Sequence, residues 1–318
     1  MLKRIIFTIL ILIFLQSKCF CQDINVAFTI DDNYSIFTLL TINSILENNH
    51  SGNHYNFYIV NSGITDKNKL FMKKFVEDKN QTIEFIQVNP EVITKGKNFD
   101  QKPIYTYRIL IPTLLPDNVD RVLYLDSDTL VLSDLKYIYN IDLHGKAVGM
   151  CVNIGNFTIN HLKIYHNSGV ILIDVKKWNN EKLTDKLLSY MHNNIKKYLY
   201  NEDKKKLFKY PDQDLINIVL SDNIRTINLC YNYQTTHKVL SFCNVGIKHF
   251  VGYIKPWHFP RTDNNAFELY YKNWNNSPLR IYKYYYILKS TKSMYINNLL
   301  NIQKYLVKKT TNSFKEKN

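Results

Sequence analysis

Short apolar runs that alternate with segments of helical periodicity constrain the fold of this chain more than any other feature. The runs that read as buried strands are residues 25–30, 57–60, 83–88, 121–125, 147–152 and 169–175. Helical spacing of apolar residues marks residues 37–46 and 105–115, and Thr65 is placed to cap a helix that runs to about Asp78. Strands that alternate with helices predict an α/β fold with a mostly parallel central sheet, covered by helices on both faces.

Two of the predicted strands end in acidic clusters. Asp31 and Asp32 follow the first run, and Asp126 and Asp128 follow the fourth. Ligands of open parallel sheets bind beyond the carboxyl ends of the strands, so both clusters are candidate binding positions. Two carboxylates one residue apart repel each other unless a cation lies between them, and oxygen ligands favour Mg²⁺ or Mn²⁺. At this point the alternative stays open that Asp126 and Asp128 only form a turn.

The amino-terminal segment has the pattern of a targeting sequence. Lys3 and Arg4 precede an apolar run over residues 5–15. That run is shorter than the about twenty residues of a membrane-spanning helix. It indicates a signal peptide over residues 1–21, with a short uncleaved anchor as the alternative. We therefore expect an exported, secretory or membrane-associated protein whose main domain begins at Gln22.

The net charge of +14 is concentrated in a carboxyl-terminal tail, which we place at residues 279–318 after a domain over residues 22–278. The tail combines nine Lys and Arg with one acid, Glu316, and six tyrosines. This mixture favours an anionic membrane surface as a partner, because Tyr lies at headgroup depth and each basic residue contributes roughly 1 kcal/mol there. A solvated tail is the alternative. Nucleic acid is not expected, because no nucleic-acid-binding motif accompanies the charge.

Five segments, taken in chain order, carry a resemblance to a known family. They are residues 28–34, 123–128, 166–174 with Trp178, 210–217 and 249–257. In this order they resemble the nucleotide-binding first loop, the Asp-x-Asp element, the Asn-(Ala/Ser)-Gly strand, the Asp-Gln-Asp helix start and the His-x-x-Gly-x-x-Lys-Pro-Trp element of family 8 of the retaining glycosyltransferases. The resemblance covers roughly residues 24–257. It implies a GT-A fold, which is a single Rossmann-like domain that binds a nucleotide sugar.

The resemblance also implies a divalent metal ion and a UDP-sugar donor. Asp126 and Asp128 would hold the metal, with His249 as the third protein ligand. Imidazole beside two carboxylates suits Mn²⁺ better than Mg²⁺, which prefers oxygen ligands, so Mn²⁺ is expected and Mg²⁺ is the alternative. The residues expected to contact the donor are Thr29, Asp31, Asn33, Tyr34, Arg108, Asp126, Ser127, Asp128, Asn167, Ser168, Gly252 and Lys255.

Several of these residues have a specific expected partner on the donor. Asp31 and Asn33 would hydrogen-bond the uridine, and Tyr34 would stack on the base. Gly252 would let the backbone approach the diphosphate, and Lys255 would neutralise the β-phosphate as a point charge. The structural alternative for Asp31, Asn33 and Tyr34 is a turn at the end of a strand, since Asp and Asn favour turns. The alternative for Lys255 is a surface cation.

The resemblance implies that Gln213, Asp212 and Asn153 lie at the reacting centre. Gln213 would lie beside the anomeric carbon, and Asp212 would bind donor hydroxyls together with Asn167. Arg108 would contact the donor sugar or phosphate. Asn153 would face the acceptor, at a position where well-known bacterial galactosyltransferases of the family carry Asp. Asp212 also suits a helix N-terminus, where the dipole favours acids.

These expectations combine into one predicted activity. The chain is predicted to be a metal-dependent retaining glycosyltransferase that moves glucose or galactose from a UDP-sugar to a hydroxyl of a glycan or glycolipid. Gln213 is a poor nucleophile, which makes front-face attack assisted by the leaving phosphate plausible, and the choice between single and double displacement stays open. Two alternatives remain: an inactive GT-A-like binding protein of a secretory compartment, and a self-glucosylating enzyme similar to glycogenin.

Overall fold

The computed structural model describes residues 21–94, 103–154, 162–194, 210–234, 244–253, 255–258 and 264–289. The chain divides into two compact units, Met1–His249 and Phe250–Asn318. The predicted signal peptide falls outside the described residues except for its last position, and the predicted tail falls outside them from residue 290 onward. Among the described residues, no helix is both long enough and apolar enough to cross a membrane.

The first unit contains all of the strands that are described. They are β1 (Asp23–Ile30), β2 (His54–Asn61), β3 (Thr82–Gln87), β4 (Arg121–Leu125), β5 (Thr129–Val131), β6 (Val148–Val152), β7 (His166–Asp174), β8 (Ile224–Ile227), β9 (Tyr233–Gln234) and β10 (Ile247–His249). Among the described residues of this unit, the α-helices are α1 (Ser35–Glu47), α2 (Asp66–Glu77), α3 (Glu91–Thr94), α4 (Ile111–Leu114), α5 (Lys136–Tyr139), α6 (Val175–Asn180), α7 (Leu183–Asn193) and α8 (Pro211–Val219). Four 3₁₀ segments are described as well, over Asp32–Tyr34, Pro103–Leu110, Ser221–Asn223 and Leu229–Asn232.

One large sheet organises the unit, with the strand order β3-β2-β1-β4-β7-β6-β8. Parallel pairs join β3 to β2, β2 to β1, β1 to β4 and β6 to β8, whereas β7 runs antiparallel to β4 and to β6. The predicted mostly parallel α/β sheet is therefore confirmed. A second, smaller sheet has the order β5-β10-β9. It was not predicted, because strands of two or three residues leave no periodic pattern in a sequence.

Helix α1 fixes the backbone that follows β4. Thr41 is fully buried, and its hydroxyl oxygen lies 3.1 Å from the carbonyl oxygen of Ser127 and 2.9 Å from that of Thr129. One turn further on, the hydroxyl oxygen of Ser44 accepts a hydrogen bond of 3.0 Å from the backbone N–H of Val131. Buried backbone groups need such partners. The polar stripe of α1 therefore holds the loop between β4 and β5 in one position.

The segment over residues 105–115 differs from its prediction as one α-helix. It forms a 3₁₀ segment over Pro103–Leu110, and only Ile111–Leu114 is α-helical. Pro112 explains the difference, because its ring would clash with the carbonyl of Arg108 in a continuous α-helix and its nitrogen has no hydrogen to donate. The segment is helical as predicted, but most of it is 3₁₀, and Arg108 stands on a 3₁₀ turn.

The second unit is built on an aromatic core. Helix α9 (Asn264–Asn276) carries Tyr270, whose ring centroid lies 5.4 Å from that of Phe250 and 5.9 Å from that of Trp257. The ring of Trp274 lies 6.0 Å from the same tyrosine. The tryptophan of the Lys-Pro-Trp segment is therefore a core residue of this unit.

The described start of the predicted tail packs partly on α9. Leu279 is buried within the 3₁₀ segment Pro278–Tyr282, and its carbonyl accepts a hydrogen bond of 3.1 Å from the indole nitrogen of Trp274. Residues 283–289 are helical. Four large apolar or aromatic side chains at helical spacing are exposed, namely Ile281, Tyr284, Tyr285 and Leu288. The domain boundaries at 21/22 and 278/279 stay predictions.

Candidate functional site

Three potential metal ligands meet where β4 ends. Asp126 and Asp128 follow that strand, and the antiparallel pairing of β10 with β5 brings His249 beside them. The Nε2 atom of His249 lies 3.2 Å from Asp128 Oδ1 and 3.6 Å from Asp126 Oδ2. Ligand atoms of the three residues all lie within 4.8 Å of one another. Two carboxylates and one imidazole form a donor set that fits a divalent transition-metal ion.

Strand β7 passes close to this cluster because residue 169 has no side chain. The backbone N–H of Asp126 donates to the carbonyl of Gly169 at 2.8 Å. A Cβ atom on Gly169 would lie 2.1 Å from Cε1 of His249 and 2.9 Å from Oδ2 of Asp126. Non-bonded carbon atoms are optimally about 3.5–4.0 Å apart, so a methyl group would displace the imidazole. The glycine therefore allows the ligands to converge.

The carboxylate of Asp126 is held on one side so that its other oxygen faces His249. Its Oδ1 atom accepts a hydrogen bond of 2.5 Å from the hydroxyl of Tyr124, and it lies 3.1 Å from Nη2 of Arg108. The hydroxyl of Thr29 lies 3.1 Å from that of Tyr124. Burial raises the pKa of Tyr124 well above its ordinary value, so this hydroxyl keeps its hydrogen. Thr29, which was predicted to contact the donor, thus also supports Asp126 through Tyr124.

Arg108 joins the metal cluster to the start of α8. Its side chain is buried, its Nε atom lies 3.1 Å from Oδ2 of Asp212, and Nη1 donates to the carbonyl of Ser168 at 2.6 Å. The guanidinium also lies over the ring of Tyr124, at 4.7 Å. Burial alone would lower the pKa of Arg108, but the carboxylates of Asp126 and Asp212 raise it above its ordinary value. A permanent positive charge therefore lies between two acids.

The predicted catalytic residues form a cluster of side-chain amides. The Oε1 atom of Gln213 accepts hydrogen bonds of 3.0 Å from the backbone N–H of Ser168 and 3.1 Å from Nδ2 of Asn167. The same Nδ2 atom lies 3.3 Å from Oδ1 of Asn153. The hydroxyl of Ser168 lies 3.2 Å from Oδ2 of Asp212. The end of β6, the start of β7 and the first turn of α8 thus bring these side chains together.

The loop after β1 contains the residues predicted to bind uridine. Asp31 accepts a hydrogen bond of 3.1 Å from the backbone N–H of Asn33, whose side chain is exposed. The pKa of Tyr34 is raised, first by burial and then by the negative charge of Asp128, so its hydroxyl stays neutral. Asp32 instead stabilises the start of α2, because its carboxylate accepts hydrogen bonds from the backbone N–H and the hydroxyl of the capping residue Thr65.

Gly252 and Lys255 belong to the second unit. Gly252 is exposed and has a φ of +97°, a conformation that glycine adopts without strain. The ammonium of Lys255 donates a hydrogen bond of 2.9 Å to the carbonyl of Phe250. Their predicted contacts with the diphosphate stay predictions.

Three supporting residues of the site were not foreseen from the sequence. The hydroxyl of Thr38 lies 2.8 Å from that of Ser127, Tyr124 binds the aspartate two residues after it, and Oδ1 of Asn232 lies 2.9 Å from Nδ1 of His249. The position of Tyr124 could have been predicted, because residues two apart in a strand point to the same face and Tyr124 lies two residues before Asp126. Asn232 lies in a short segment that has no recognisable pattern.

Comparisons with known proteins agree with this geometry. A family model described as glycosyl transferase family 8 matches residues 25–260. The chain therefore belongs to glycosyl transferase family 8 and is a glycosyltransferase.

Relatives and solved structures support the same conclusion. The chain is 28% identical over 258 residues to lipopolysaccharide 1,2-glucosyltransferase of Escherichia coli strain K12, a match that covers 74% of this chain and 73% of that protein. It is 26% identical over 273 residues to general stress protein A of Bacillus subtilis, covering 77% of this chain and 92% of that protein. The structure of the galactosyltransferase LgtC in complex with donor and acceptor sugar analogues superposes with a TM-score of 0.65 at 23% identity, covering 80% and 96% of the two chains. This likeness confirms the predicted GT-A fold.

A methyl group at position 169 tests the geometry of the cluster. We expect Gly169→Ala to weaken Mn²⁺ binding at least tenfold, because the new Cβ displaces the imidazole of His249. Electron paramagnetic resonance of free Mn²⁺ in a titration of the full chain measures the affinity. Gly149→Ala is the matched control, since its Cβ would lie 2.8 Å from Leu143 Cδ2, in the loop before β6, and touch none of the three candidate ligands. Equal losses of Mn²⁺ affinity in Gly169→Ala and Gly149→Ala would contradict the assignment of Asp126, Asp128 and His249 as metal ligands.

Proposed function

We propose that the chain is a metal-dependent retaining hexosyltransferase that moves glucose or galactose from a UDP-sugar to a hydroxyl of a glycan or glycolipid. The observation that carries this proposal is the group of Asp126, Asp128 and His249 at the carboxyl end of β4, where ligands of such sheets bind. One relative is by name a lipopolysaccharide 1,2-glucosyltransferase, and one structural neighbour is a galactosyltransferase bound to donor and acceptor sugar analogues. Both support a hexose and a saccharide-containing acceptor.

The three ligands would hold Mn²⁺, which fits a mixed set of carboxylate and imidazole better than Mg²⁺ does. When bound, this cation supplies positive charge for the leaving diphosphate. In ionised form Asp126, Asp128 and Asp212 carry three negative charges, and Arg108 carries one positive charge. An excess of two negative charges is what a divalent cation balances.

Two groups of residues are proposed to bind the donor. Asp31 and Asn33 are proposed to bind the uridine, and Tyr34 to stack on its base. Gly252 and Lys255 are proposed to bind the diphosphate, where the ammonium would exchange its backbone carbonyl partner for a phosphate oxygen. Stabilisation of charge that develops on a leaving group is usually the largest single contribution to a barrier reduction, which gives Lys255 a direct role in turnover.

The hydrogen bonds of Gln213 favour front-face transfer. Its Oε1 atom already accepts hydrogen bonds from the backbone of Ser168 and from Asn167, so this oxygen is poorly available as a covalent nucleophile. Attack by the acceptor hydroxyl on the face that the diphosphate leaves retains the anomeric configuration without a glycosyl-enzyme intermediate. Asp212 and Asn167 would orient donor hydroxyls, and the neutral Asn153 would hydrogen-bond the acceptor.

Replacing one metal ligand tests the proposal. We expect Asp128→Asn to lower Mn²⁺-dependent hydrolysis of UDP-glucose or UDP-galactose at least a hundredfold, because it removes one charged ligand, a loss of roughly 3 kcal/mol in barrier stabilisation. Release of UDP from a panel of UDP-sugars measures both the activity and the preferred sugar.

Asp134→Asn is the matched control for that experiment. Asp134 is a buried acid six residues after Asp128 in the sequence, and it accepts a hydrogen bond of 2.9 Å from the backbone N–H of Ser51, which holds the loop before β2. Its substitution should lower stability but leave the rate per folded molecule near that of the parent. Near-normal activity of Asp128→Asn in Mn²⁺, with circular dichroism showing a folded protein, would refute the metal assignment.

The ends of the chain support a location at a membrane. Residues 1–21 are proposed to export or anchor the enzyme, and the basic tail is proposed to contact anionic lipid. In the described part of the tail, four exposed side chains follow the i, i+3, i+4, i+7 spacing of one helix face: Ile281, Tyr284, Tyr285 and Leu288. Arg280 and Lys289 flank this face, so apolar insertion and charge attraction would act together.

A polar version of this helix face tests the membrane contact. We expect the parent chain from residue 22 onward to bind vesicles that contain anionic lipid, and the binding to weaken as salt screens charges over about 10 Å at 0.1 M. Replacing all four exposed side chains by Ser should abolish cosedimentation with the vesicles while UDP-sugar hydrolysis persists. Leu70→Ser, at an exposed leucine of α2, is the control. Unchanged vesicle binding by the fourfold variant would place the membrane contact elsewhere.

A further inference from the structure

A fully buried asparagine, Asn232, connects the metal-binding histidine to strand β7. Its Oδ1 atom lies 2.9 Å from Nδ1 of His249, and its Nδ2 atom donates to Oδ1 of Asn167 at 2.8 Å. Asn232 is the last residue of a 3₁₀ segment, and Cys230, two residues before it, is disulfide-bonded. The amide is therefore held between two polar partners in a segment with a covalent restraint.

The orientation of this amide follows from a backbone group. The N–H of Gly169 can only donate, and it lies 2.9 Å from the side-chain oxygen of Asn167. This fixes which end of the Asn167 amide is oxygen. Asn232 must then present its NH₂ group to that oxygen, because two carbonyl oxygens cannot hydrogen-bond each other. Its own oxygen is left facing Nδ1 of His249, which must carry the hydrogen.

From this chain of partners we propose that Asn232 is a positioning residue that sets the tautomer of His249. With the hydrogen on Nδ1, the lone pair of Nε2 faces Asp126 and Asp128, as a metal ligand requires. The opposite tautomer would point an N–H at the cation position and leave two lone pairs facing each other at Asn232. The inference deepens the proposed function, since it rests on the metal site, and it assigns a residue outside the five segments that carry the family resemblance.

The same direction of donation continues beyond Asn167. Its Nδ2 atom donates to Oε1 of Gln213, which also accepts from the N–H of Ser168. Each amide in the series accepts from one neighbour and donates to the next, from His249 to Gln213. Asn232 therefore ties the orientation of a metal ligand to that of the amide proposed to lie beside the anomeric carbon.

Nuclear magnetic resonance of the wild-type chain tests the tautomer directly. Long-range ¹H–¹⁵N correlation of the full chain labelled with ¹⁵N-histidine and freed of metal reports which nitrogen carries the hydrogen. The measurement is made at a pH above which the imidazole signals no longer change. His249→Gln assigns the signal. A hydrogen on Nδ1 is expected, and a hydrogen on Nε2 would overturn the proposal.

Titration with Mn²⁺ alone, without a sugar nucleotide, tests the consequence. Asn232→Leu should weaken Mn²⁺ binding about 10- to 100-fold, which is typical for loss of a partner behind a metal-binding histidine. Asn232→Asp should bind Mn²⁺ more tightly than Asn232→Leu, because a carboxylate still accepts from Nδ1–H although it no longer donates to Asn167. If Asn232 had only a structural role, Asn232→Asp would not restore Mn²⁺ affinity relative to Asn232→Leu.

Asn61→Leu is the matched control, since Asn61 is also a fully buried amide that bonds backbone groups, at the end of β2. It should leave Mn²⁺ affinity within about twofold of the parent. Parent-like affinity in Asn232→Leu, or equal weakening in Asn232→Asp, would overturn the proposal. If the parent itself binds no Mn²⁺, the proposed metal site fails, whereas the tautomer measurement still decides the role of Asn232. The tautomer measurement also decides the role of Asn232 if Asn232→Leu does not fold.

Discussion

The close approach of Asp126 and Asp128 is the constraint on which the rest of the site depends. Two carboxylates at this separation repel each other, and the protein offsets part of that repulsion with Arg108. The arginine is buried between Asp126 and Asp212. Removing one partner of such a buried ion pair typically costs about 3–5 kcal/mol, because a charge is left without compensation. Arg108 is therefore a structural requirement of the site as well as a candidate contact for the donor.

Each ligand is held by a different part of the first unit. Helix α1 binds the backbone after β4 through Thr41 and Ser44, Tyr124 holds one oxygen of Asp126, and the small sheet delivers His249. Strand β7 closes the cluster from one side at Gly169. A site assembled from so many elements keeps its geometry through packing and hydrogen bonds rather than through one loop.

The sequence predicted the large elements of the fold well because their signals are local. The strand over residues 121–125 was predicted with the bounds that it has, and Thr65 caps α2 as expected, since an apolar run and a capping residue are readable without tertiary contacts. The helical segment predicted over residues 105–115 is 3₁₀ up to Leu110, because Pro112 prevents one α-helix from running through from the preceding turn. The small sheet was missed because its strands are too short for any pattern.

In the site, too, the sequence predicts residues that have a local pattern and misses those that act through distant contacts. Asp126, Asp128 and His249 lie in segments with recognisable spacing, and the structure brings their side chains together. Asn232 and Thr38 act through contacts between residues far apart in the chain, which no local pattern encodes. For a single polar residue in such a segment, only the folded structure shows that its partner is His249, one of the three candidate metal ligands.

Anomalous X-ray diffraction from crystals of the full chain grown with Mn²⁺ and UDP tests the central claim most directly. One manganese peak is expected among the carboxylates of Asp126 and Asp128 and the Nε2 atom of His249, in contact with the diphosphate of UDP. A peak away from these three residues, or a diphosphate bound at the carboxyl end of β4 without manganese, would contradict the account.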